Sequence, residues 1–171
     1  MEIIEIGAVI LDGDSCQVVG EFASFVRPIS EPVLSDYCIH LTSIQQSDVS
    51  TAENFKRVFT KFLDWIGPSP YKICSWGDYD IRQFRTDCER HELRFPKHFS
   101  ENHINLKKAF ASLRGIRPCG MKKALRLLGM PLEGHHHRAI DDARNIARMA
   151  QRILPVVPGS LCTLDKNRQT D

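Results

Sequence analysis

Residues 132–154 read LEGHHHRAIDDARNIARMAQRIL and contain two different patterns. The first is a short segment of glycine and histidine, residues 134–137. The second predicts a helix, because small or apolar residues recur at helical spacing. These residues are Ala139, Ala143, Ile146, Ala150 and Ile153. The boundary between the loop and the helix lies between His137 and Asp142. Its position determines whether the imidazole of His137 can reach the carboxylate of Asp142.

His137 and Asp142 are five residues apart. Within one α-helix this separation is about 140° around the axis, so the two side chains would not share a face. If His137 lies in the loop before the helix, however, its imidazole can reach the Asp142 carboxylate. Such a pair can act as a general base next to a metal-binding carboxylate. The alternative is that Asp141 and Asp142 only oppose the helix macrodipole, by about 0.3–1 kcal/mol each.

The composition is that of a soluble globular domain of ordinary size. Of the 171 residues, 42% are hydrophobic and 26% are charged, which allows a sizeable core. No apolar run approaches the roughly 20 residues of a membrane span, and the N-terminus has no signal-peptide pattern. The six cysteines are scattered without a CxxC pair. They therefore suggest neither a zinc site nor a compact disulfide framework, and a reducing, cytoplasmic setting is expected.

The charge is unevenly distributed along the chain. A net charge of +2 is too small by itself to imply a polyanionic partner, but no acidic residue occurs between Glu101 and Glu133. The basic residues in that interval are Lys107, Lys108, Arg114, Arg117, Lys122, Lys123 and Arg126. Such a segment can follow a phosphate backbone and make binding salt-dependent. The alternative is a solvated helix surface.

The N-terminal half predicts a hairpin and a helix. Residues 2–12 form an apolar, β-branched run typical of a strand covered on both faces, and a turn separates it from a second strand at about 17–26. Residues 27–36 are predicted to be a loop. Ser50 and Glu53 have the capping-box spacing, which predicts that a helix opens at Ser50. Its core face comprises Phe55, Val58, Phe59, Phe62 and Ile66, and it should end by Gly67.

The C-terminal half alternates predicted strands and helices. A strand at 71–75 leads into a helix that ends near His91, and a strand ending at Ile104 leads into another helix. Residues 120–129 predict a short amphipathic helix with Leu125 and Leu128 inward. Residues 155–171 predict a loosely held tail. Acids where strands meet helices indicate an α/β sheet with a site at its rim.

The segment GHHHRAIDDARNIARM resembles the last motif of the DEDDh (DnaQ-like) 3′→5′ exonucleases, and the Eri-type branch is the most similar. The resemblance extends from Glu2 to about residue 154, which implies an exonuclease domain at 1–154 and a tail at 155–171. It also implies a ribonuclease H-like mixed sheet flanked by helices.

The same resemblance implies roles for individual residues. His137 is the implied catalytic base, and Asp142 is an implied metal ligand. WGDYDIRQF resembles the second motif, whose metal-binding aspartate falls on Asp80. Asp78 is the neighbour that could be mistaken for it, and either aspartate could instead cap the helix.

CIHLTSIQQSDV, residues 38–49, resembles the loop that binds the 3′-terminal nucleotide. Leu41 and Thr42 match its substrate-binding positions, whereas Ser43 stands where the family commonly has glycine. The alternative is a short polar helix whose Leu41 and Ile44 enter the core.

Two of the family's four metal-binding acids are absent from this sequence. The family holds two Mg²⁺ or Mn²⁺ ions with an Asp-x-Glu pair on the first strand in addition to the matches at Asp80 and Asp142. Glu2 and Glu5 are not expected to replace that pair, because residues three apart in a strand face opposite sides. The chain is therefore expected to be truncated at its N-terminus, without the central first strand, and impaired in activity.

The resemblance implies a metal-dependent 3′→5′ exonuclease that acts on the 3′ end of RNA or single-stranded DNA and releases nucleoside monophosphates. A second hypothesis is a catalytically dead exonuclease-like module that binds nucleic acid or a protein. A third is a metal protein using residues 135–137, which lacks partner ligands at a recognised spacing.

Overall fold

The computed structural model describes residues 1–68 and 70–154. Its strands are β1 (Glu5–Leu11), β2 (Val18–Phe25), β3 (Ile73–Ser75) and β4 (His103–Asn105). Its helices are α1 (Asp36–Thr42), α2 (Gln46–Ser50), α3 (Phe55–Ile66), α4 (Tyr79–Arg90), α5 (Lys97–Glu101), α6 (Leu106–Arg114), α7 (Met121–Leu127) and α8 (Ala139–Ile153). The predicted tail at 155–171 lies outside the described residues.

The strands form two small sheets. β1 pairs antiparallel with β2, from Glu5 opposite Phe25 to Leu11 opposite Val18. β3 pairs parallel with β4. Within the described ranges no ladder joins β1 to β3, which agrees with the expected gap between these strands. The predicted mixed α/β architecture is confirmed.

The first strand is shorter at its N-terminal end than the apolar run predicted. Glu2 and Ile3 are held by other parts of the molecule. The Glu2 carboxylate accepts hydrogen bonds from the backbone N–H groups of residues 29–31, at 2.7–3.1 Å. The backbone N–H of Ile3 donates to the buried Asp87 carboxylate at 3.1 Å. The strand is assigned from Glu5, although the Ile4 carbonyl still accepts a hydrogen bond from the Val26 nitrogen at 2.8 Å.

Helix α8 packs directly on β1, and Gly7 permits this close approach. A Cβ atom at Gly7 would lie 2.2 Å from the Ile140 nitrogen. The predicted helix is present, and Ala150 and Ile153 of its apolar pattern are buried. The other three residues of that pattern are partly buried, and Ile140, Ala147 and Met149 are also buried.

The start of α3 differs from the capping-box prediction. Ser50 is the last residue of α2, and the Ser50–Glu53 pair does not cap a helix. The N-cap of α3 is Asn54, whose side chain accepts a hydrogen bond from the Arg57 nitrogen at 3.1 Å. An asparagine is as good an N-cap as a serine. The local sequence therefore allowed α3 to begin after Ser50 or after Asn54, and the folded protein has the second of these starts.

Two hydrophobic clusters form most of the core. One surrounds α3 and contains the buried residues Phe55, Val58, Phe59, Phe62, Ile81 and Phe99. The other joins α6, α7 and α8 and contains Leu106, Phe110, Leu125, Met149 and Ile153. Leu125 is buried as predicted, whereas Leu128 is only partly buried. In the described part of the chain, no helix is long and apolar enough to cross a membrane.

Candidate active site

The loop before α8 is held by Asp141. Its carboxylate accepts a hydrogen bond from the His135 nitrogen at 2.8 Å and lies 3.3 Å from a guanidinium nitrogen of Arg144. Gly134 has a φ of +70°, and a Cβ atom there would lie 2.4 Å from the Asp141 Cγ. Only glycine fits this position without displacing the carboxylate. Asp141 is therefore occupied in shaping the loop, and Asp142 is left to face the loop histidines.

His137 and Asp142 meet as the loop-and-helix prediction requires. The helix N-cap is Arg138, so His137 precedes the helix and Asp142 lies in its first turn. The backbone N–H of His137 donates to Asp142 Oδ2 at 3.2 Å. Burial, followed by the charge of the neighbouring His136, lowers the pKa of His137. The imidazole is therefore predominantly neutral near pH 7 and able to accept a proton.

Asp80 is the carboxylate that lies near Asp142. It is in the first turn of α4, and desolvation raises its pKa while the negative charge of Asp142 raises it further. Asp80 is exposed as a residue, so its carboxylate is accessible to ions from solvent. A divalent cation bound to two carboxylates would neutralise both.

Asp78, the neighbour of Asp80 in sequence, has other partners. Its carboxylate accepts from Asn105 Nδ2 at 2.7 Å and from Lys108 Nζ at 3.2 Å, and these two hydrogen bonds lower its pKa. It is the N-cap residue of α4 but makes no side-chain capping bond. Asp78 therefore connects α4 to β4 and α6.

Ser75 and His103 lie near Asp80, and the sequence analysis made no prediction for them. Ser75 is 6% exposed, and its hydroxyl oxygen lies 2.8 Å from His103 Nε2. The hydroxyl lies 2.7 Å from the Gly77 carbonyl and within reach of the Asp80 carboxylate, and its single hydrogen can be donated to one of these two acceptors at a time. Both residues lie on the paired strands β3 and β4. Polar residues on adjacent parallel strands were the signal that could have found them.

His136 entered the sequence analysis only as part of the histidine cluster at 135–137. Its Nδ1 lies 2.9 Å from Asp142 Oδ1, and its ring stacks on that of His137 with centroids 3.8 Å apart. One potential ligand atom from each of His136, His137 and Asp142 lies within 4.8 Å of the others. His135 points elsewhere, with Nε2 2.8 Å from the hydroxyl of Ser43.

Leu41 and Thr42 lie at the end of α1, so residues 38–49 are not a single loop but parts of two short helices. Ile44 is buried, as the helical alternative predicted, and Leu41 is partly buried. The Thr42 hydroxyl donates to the Cys38 carbonyl at 2.8 Å and accepts from the Ile44 nitrogen. The contact between Ser43 and His135 places this end of α1 beside the histidine loop.

Glu2 and Glu5 are both engaged away from Asp80. Glu5 accepts hydrogen bonds from the Arg138 guanidinium at 3.0 and 3.2 Å and from the Ala139 nitrogen at 2.7 Å. Its carboxylate therefore compensates the N-terminal end of the α8 dipole. Glu2 holds the loop at 29–31. Neither glutamate therefore adds a carboxylate to the group of potential metal ligands in the described residues, which is His136, His137 and Asp142.

Comparisons with known proteins identify the family of this chain. The family described as Exonuclease (RNase_T) matches residues 1–150. Human 3′-5′ exoribonuclease 1 is 33% identical over 162 residues, which are 90% of this chain and 46% of that protein. The chain thus spans about half the length of the curated relatives it matches.

Two solved structures are similar over 90% of this chain. The nuclease domain of 3′hExo, a DEDDh family member bound to rAMP, has a TM-score of 0.84 at 32% identity, with 80% of that chain covered. A structure of 3′-end specific recognition of histone mRNA stem-loop by 3′-exonuclease has a TM-score of 0.84 at 30% identity, with 72% covered. These similarities confirm the expected ribonuclease H-like fold, and DEDDh exonucleases depend on divalent metal ions. Because the family match spans nearly the whole described chain, this protein belongs to the Exonuclease (RNase_T) family, with DEDDh nucleases as its structural neighbours.

Proposed function

We propose that this chain is the nuclease domain of a metal-dependent 3′→5′ exonuclease that hydrolyses the terminal phosphodiester of RNA or single-stranded DNA and releases nucleoside monophosphates. The observation that carries the proposal is the meeting of a neutral loop histidine, His137, with Asp142 at the start of α8, beside the Asp80 carboxylate. RNA is the favoured substrate, because the similar proteins include a 3′-5′ exoribonuclease and a 3′-exonuclease that recognises an mRNA stem-loop.

In the proposed reaction, His137 takes the proton of the attacking water. Its lowered pKa keeps the imidazole in the accepting form at neutral pH. Asp80 and Asp142 would hold Mg²⁺ or Mn²⁺, because hard cations of this kind prefer carboxylate oxygen ligands. When bound, such ions lower the pKa of water and stabilise the charge on the attacking and leaving oxygens.

Substrate binding is proposed for two surfaces beside the histidine loop. Leu41 would pack against the terminal base and Thr42 would hydrogen-bond its sugar, because Ser43 connects this end of α1 to His135. The phosphate backbone would follow the basic interval. Lys122 of α7 is close enough to His137 for its charge to lower the pKa of that histidine, so this interval reaches the site.

We propose that the chain as given has reduced activity, because it supplies two of the four metal-binding acids that its family uses. The alternative is a catalytically inactive module that binds nucleic acid, and the same missing pair together with the exposed Lys122, Lys123 and Arg126 favours it. We place the protein in the cytoplasm, and its distribution on cell fractionation would test that assignment. Retained salt-sensitive RNA binding without any magnesium-dependent cleavage would support the inactive module.

The test of the proposed function uses a single-stranded RNA labelled near its 5′ end, with Mg²⁺. Slow shortening from the 3′ end is expected, below the rate of the nuclease domain of 3′-5′ exoribonuclease 1 assayed in parallel. Asp142→Asn should abolish it, because the site loses a ligand charge. The matched control is Asp78→Asn, whose carboxylate contacts Asn105 and Lys108 instead. Equal losses in both variants, or cleavage that survives Asp142→Asn, would contradict the assignment of the site.

A further inference from the structure

The loop before α8 brings together two imidazoles and one carboxylate. Nδ1 of His136 lies 2.9 Å from Asp142 Oδ1, and the His136 and His137 rings are 3.8 Å apart between centroids. One ligand atom from each of the three residues lies within 4.8 Å of the others. We infer that His136, His137 and Asp142 form a binding site for a divalent transition-metal ion of the zinc class.

The donor set favours this class of ion over magnesium. Imidazole nitrogens suit zinc, cobalt, nickel and copper, whereas magnesium prefers carboxylate and water oxygens. Three protein ligands that leave a fourth position to water are an arrangement common at accessible zinc sites. Here the ligands are two histidines and one aspartate, and none of the three is fully buried.

One spacing between ligand atoms is already close to what such an ion requires. With zinc–nitrogen distances of about 2.0–2.1 Å, neighbouring ligands in a tetrahedron are roughly 3.3 Å apart. The distance between His136 Nδ1 and Asp142 Oδ1 is 2.9 Å, and the three ligand atoms all lie within 4.8 Å of one another. Asp142 Oδ2 is meanwhile fixed by the backbone N–H of His137, which orients the carboxylate.

The structure divides the three consecutive histidines. His135 does not belong to the site, because its Nε2 contacts the Ser43 hydroxyl at 2.8 Å. Its backbone N–H donates to Asp141, the residue that shapes the loop. His135 therefore provides a control with the same side chain, the same charge and an adjacent position. The missing partner ligand that had weakened the histidine-cluster hypothesis is Asp142.

Occupation of this site has a consequence that rests on the proposed function. The zinc-class ion would take the ring nitrogen of the proposed base, His137, and a carboxylate oxygen of Asp142. Cleavage supported by Mg²⁺ should then fall as Zn²⁺ is added and recover when the zinc is removed with a chelator. The binding itself does not depend on the nuclease activity.

The experiment titrates the full chain, without a polyhistidine tag and without Mg²⁺, with Co²⁺ and then with Zn²⁺. One ion per chain is expected, with the visible absorption of four-coordinate Co²⁺ that disappears as Zn²⁺ replaces it. His136→Gln and Asp142→Asn should each weaken Zn²⁺ binding by at least about tenfold, since each removes a ligand or the charge of one. His135→Gln should change it by less than about twofold, because the structure assigns it no ligand role.

Three results would overturn the inference: no stoichiometric binding, six-coordinate Co²⁺ absorption, or equal weakening by His135→Gln and His136→Gln. The absorption of the unsubstituted chain gives a result even if a variant fails to fold, and thermal unfolding of each variant identifies such a failure. Zinc binding without magnesium-dependent cleavage would support this site and contradict the proposed function. Cleavage without zinc binding would support the proposed function and contradict the zinc site.

Discussion

At the scale of single residues, the candidate site depends on which of two adjacent side chains is occupied elsewhere. Asp141 binds the loop backbone, whereas Asp142 contacts His136, and Asp78 binds Asn105. In each pair of acids the sequence shows two equivalent residues. Resemblance to a family motif selected Asp80 and Asp142, and spacing alone could not have selected them. The structure shows that Asp78 and Asp141 are engaged by other groups, and the roles of Asp80 and Asp142 stay predictions.

Ser75→Ala tests whether the hydroxyl that contacts Asp80 positions that carboxylate. The variant should require more Mg²⁺ for half-maximal cleavage, by about 10–100-fold, as expected when a hydrogen bond to a metal ligand is lost. Titration of the cleavage rate with Mg²⁺ measures the effect, and Ser75→Thr, which keeps a hydroxyl, should restore part of it. Ser100→Ala is the control, because its hydroxyl contacts only the Lys97 carbonyl in the described structure. An unchanged magnesium requirement would remove Ser75 from the site.

Gly134→Ala tests the close contact that shapes the histidine loop. Gly134 and Gly129 have similar positive φ values, +70° and +65°, but only a Cβ atom at Gly134 meets neighbouring atoms within 4 Å. Both alanine variants should lose about 1–2 kcal/mol of unfolding free energy from the left-handed backbone conformation. Gly134→Ala should lose more, because its Cβ atom displaces Asp141. Urea unfolding measures the difference, and equal losses would show that the Asp141 contact relaxes without cost.

At the scale of elements, α8 determines where the site lies and is itself held by polar contacts. Asn145 is fully buried, and its amide Nδ2 donates to the Glu133 carbonyl at 2.7 Å and to the Asp141 carbonyl at 2.8 Å. Asn145→Asp removes both side-chain donors and should cost about 1–3 kcal/mol for the Glu133 carbonyl, since the Asp141 carbonyl keeps the backbone N–H of residue 145 as its helical donor. Asn54→Asp is the matched control, since Asn54 acts as an acceptor at an N-cap and aspartate accepts equally well. Urea unfolding that gives the same stability for both variants would contradict this assignment.

The elements were largely predictable from the sequence, and their boundaries and buried faces less so. The hairpin, α4, α6 and α7 follow from apolar periodicity and from glycine or asparagine at their ends, which are local signals. The start of α3 was misplaced because Ser50 and Asn54 both satisfy the local chemistry of a cap. The burial of Ile140 in α8 was not predicted, because it depends on the close approach of Gly7 of β1, which is distant in sequence. The pairing of His136 with Asp142 was missed for a related reason, since it requires the left-handed backbone of His137, with a φ of 74°.

At the scale of the whole molecule, the net charge of +2 is small, but the basic residues are concentrated on a surface near the histidine loop. Within the basic interval, Lys122 and Arg126 are four residues apart on α7 and line the same open cavity of about 390 Å³ with Met130, Pro131 and Leu132. Lys122 also influences the pKa of His137, so this cavity lies beside the histidine loop. Lys123 is equally exposed but about 100° further around the helix, and it does not line the cavity.

This placement predicts different roles for two adjacent lysines in nucleic-acid binding. Lys122→Gln should weaken binding of single-stranded RNA by a similar factor for different sequences, because a phosphate contact carries no base information. It should also reduce the slope of log affinity against log salt concentration by about 0.7–1, the value for one lost phosphate contact. Lys123→Gln should leave the slope nearly unchanged. Fluorescence anisotropy at several salt concentrations measures both quantities, and equal slopes for the two variants would mean that the nucleic acid does not follow the Lys122 side of α7.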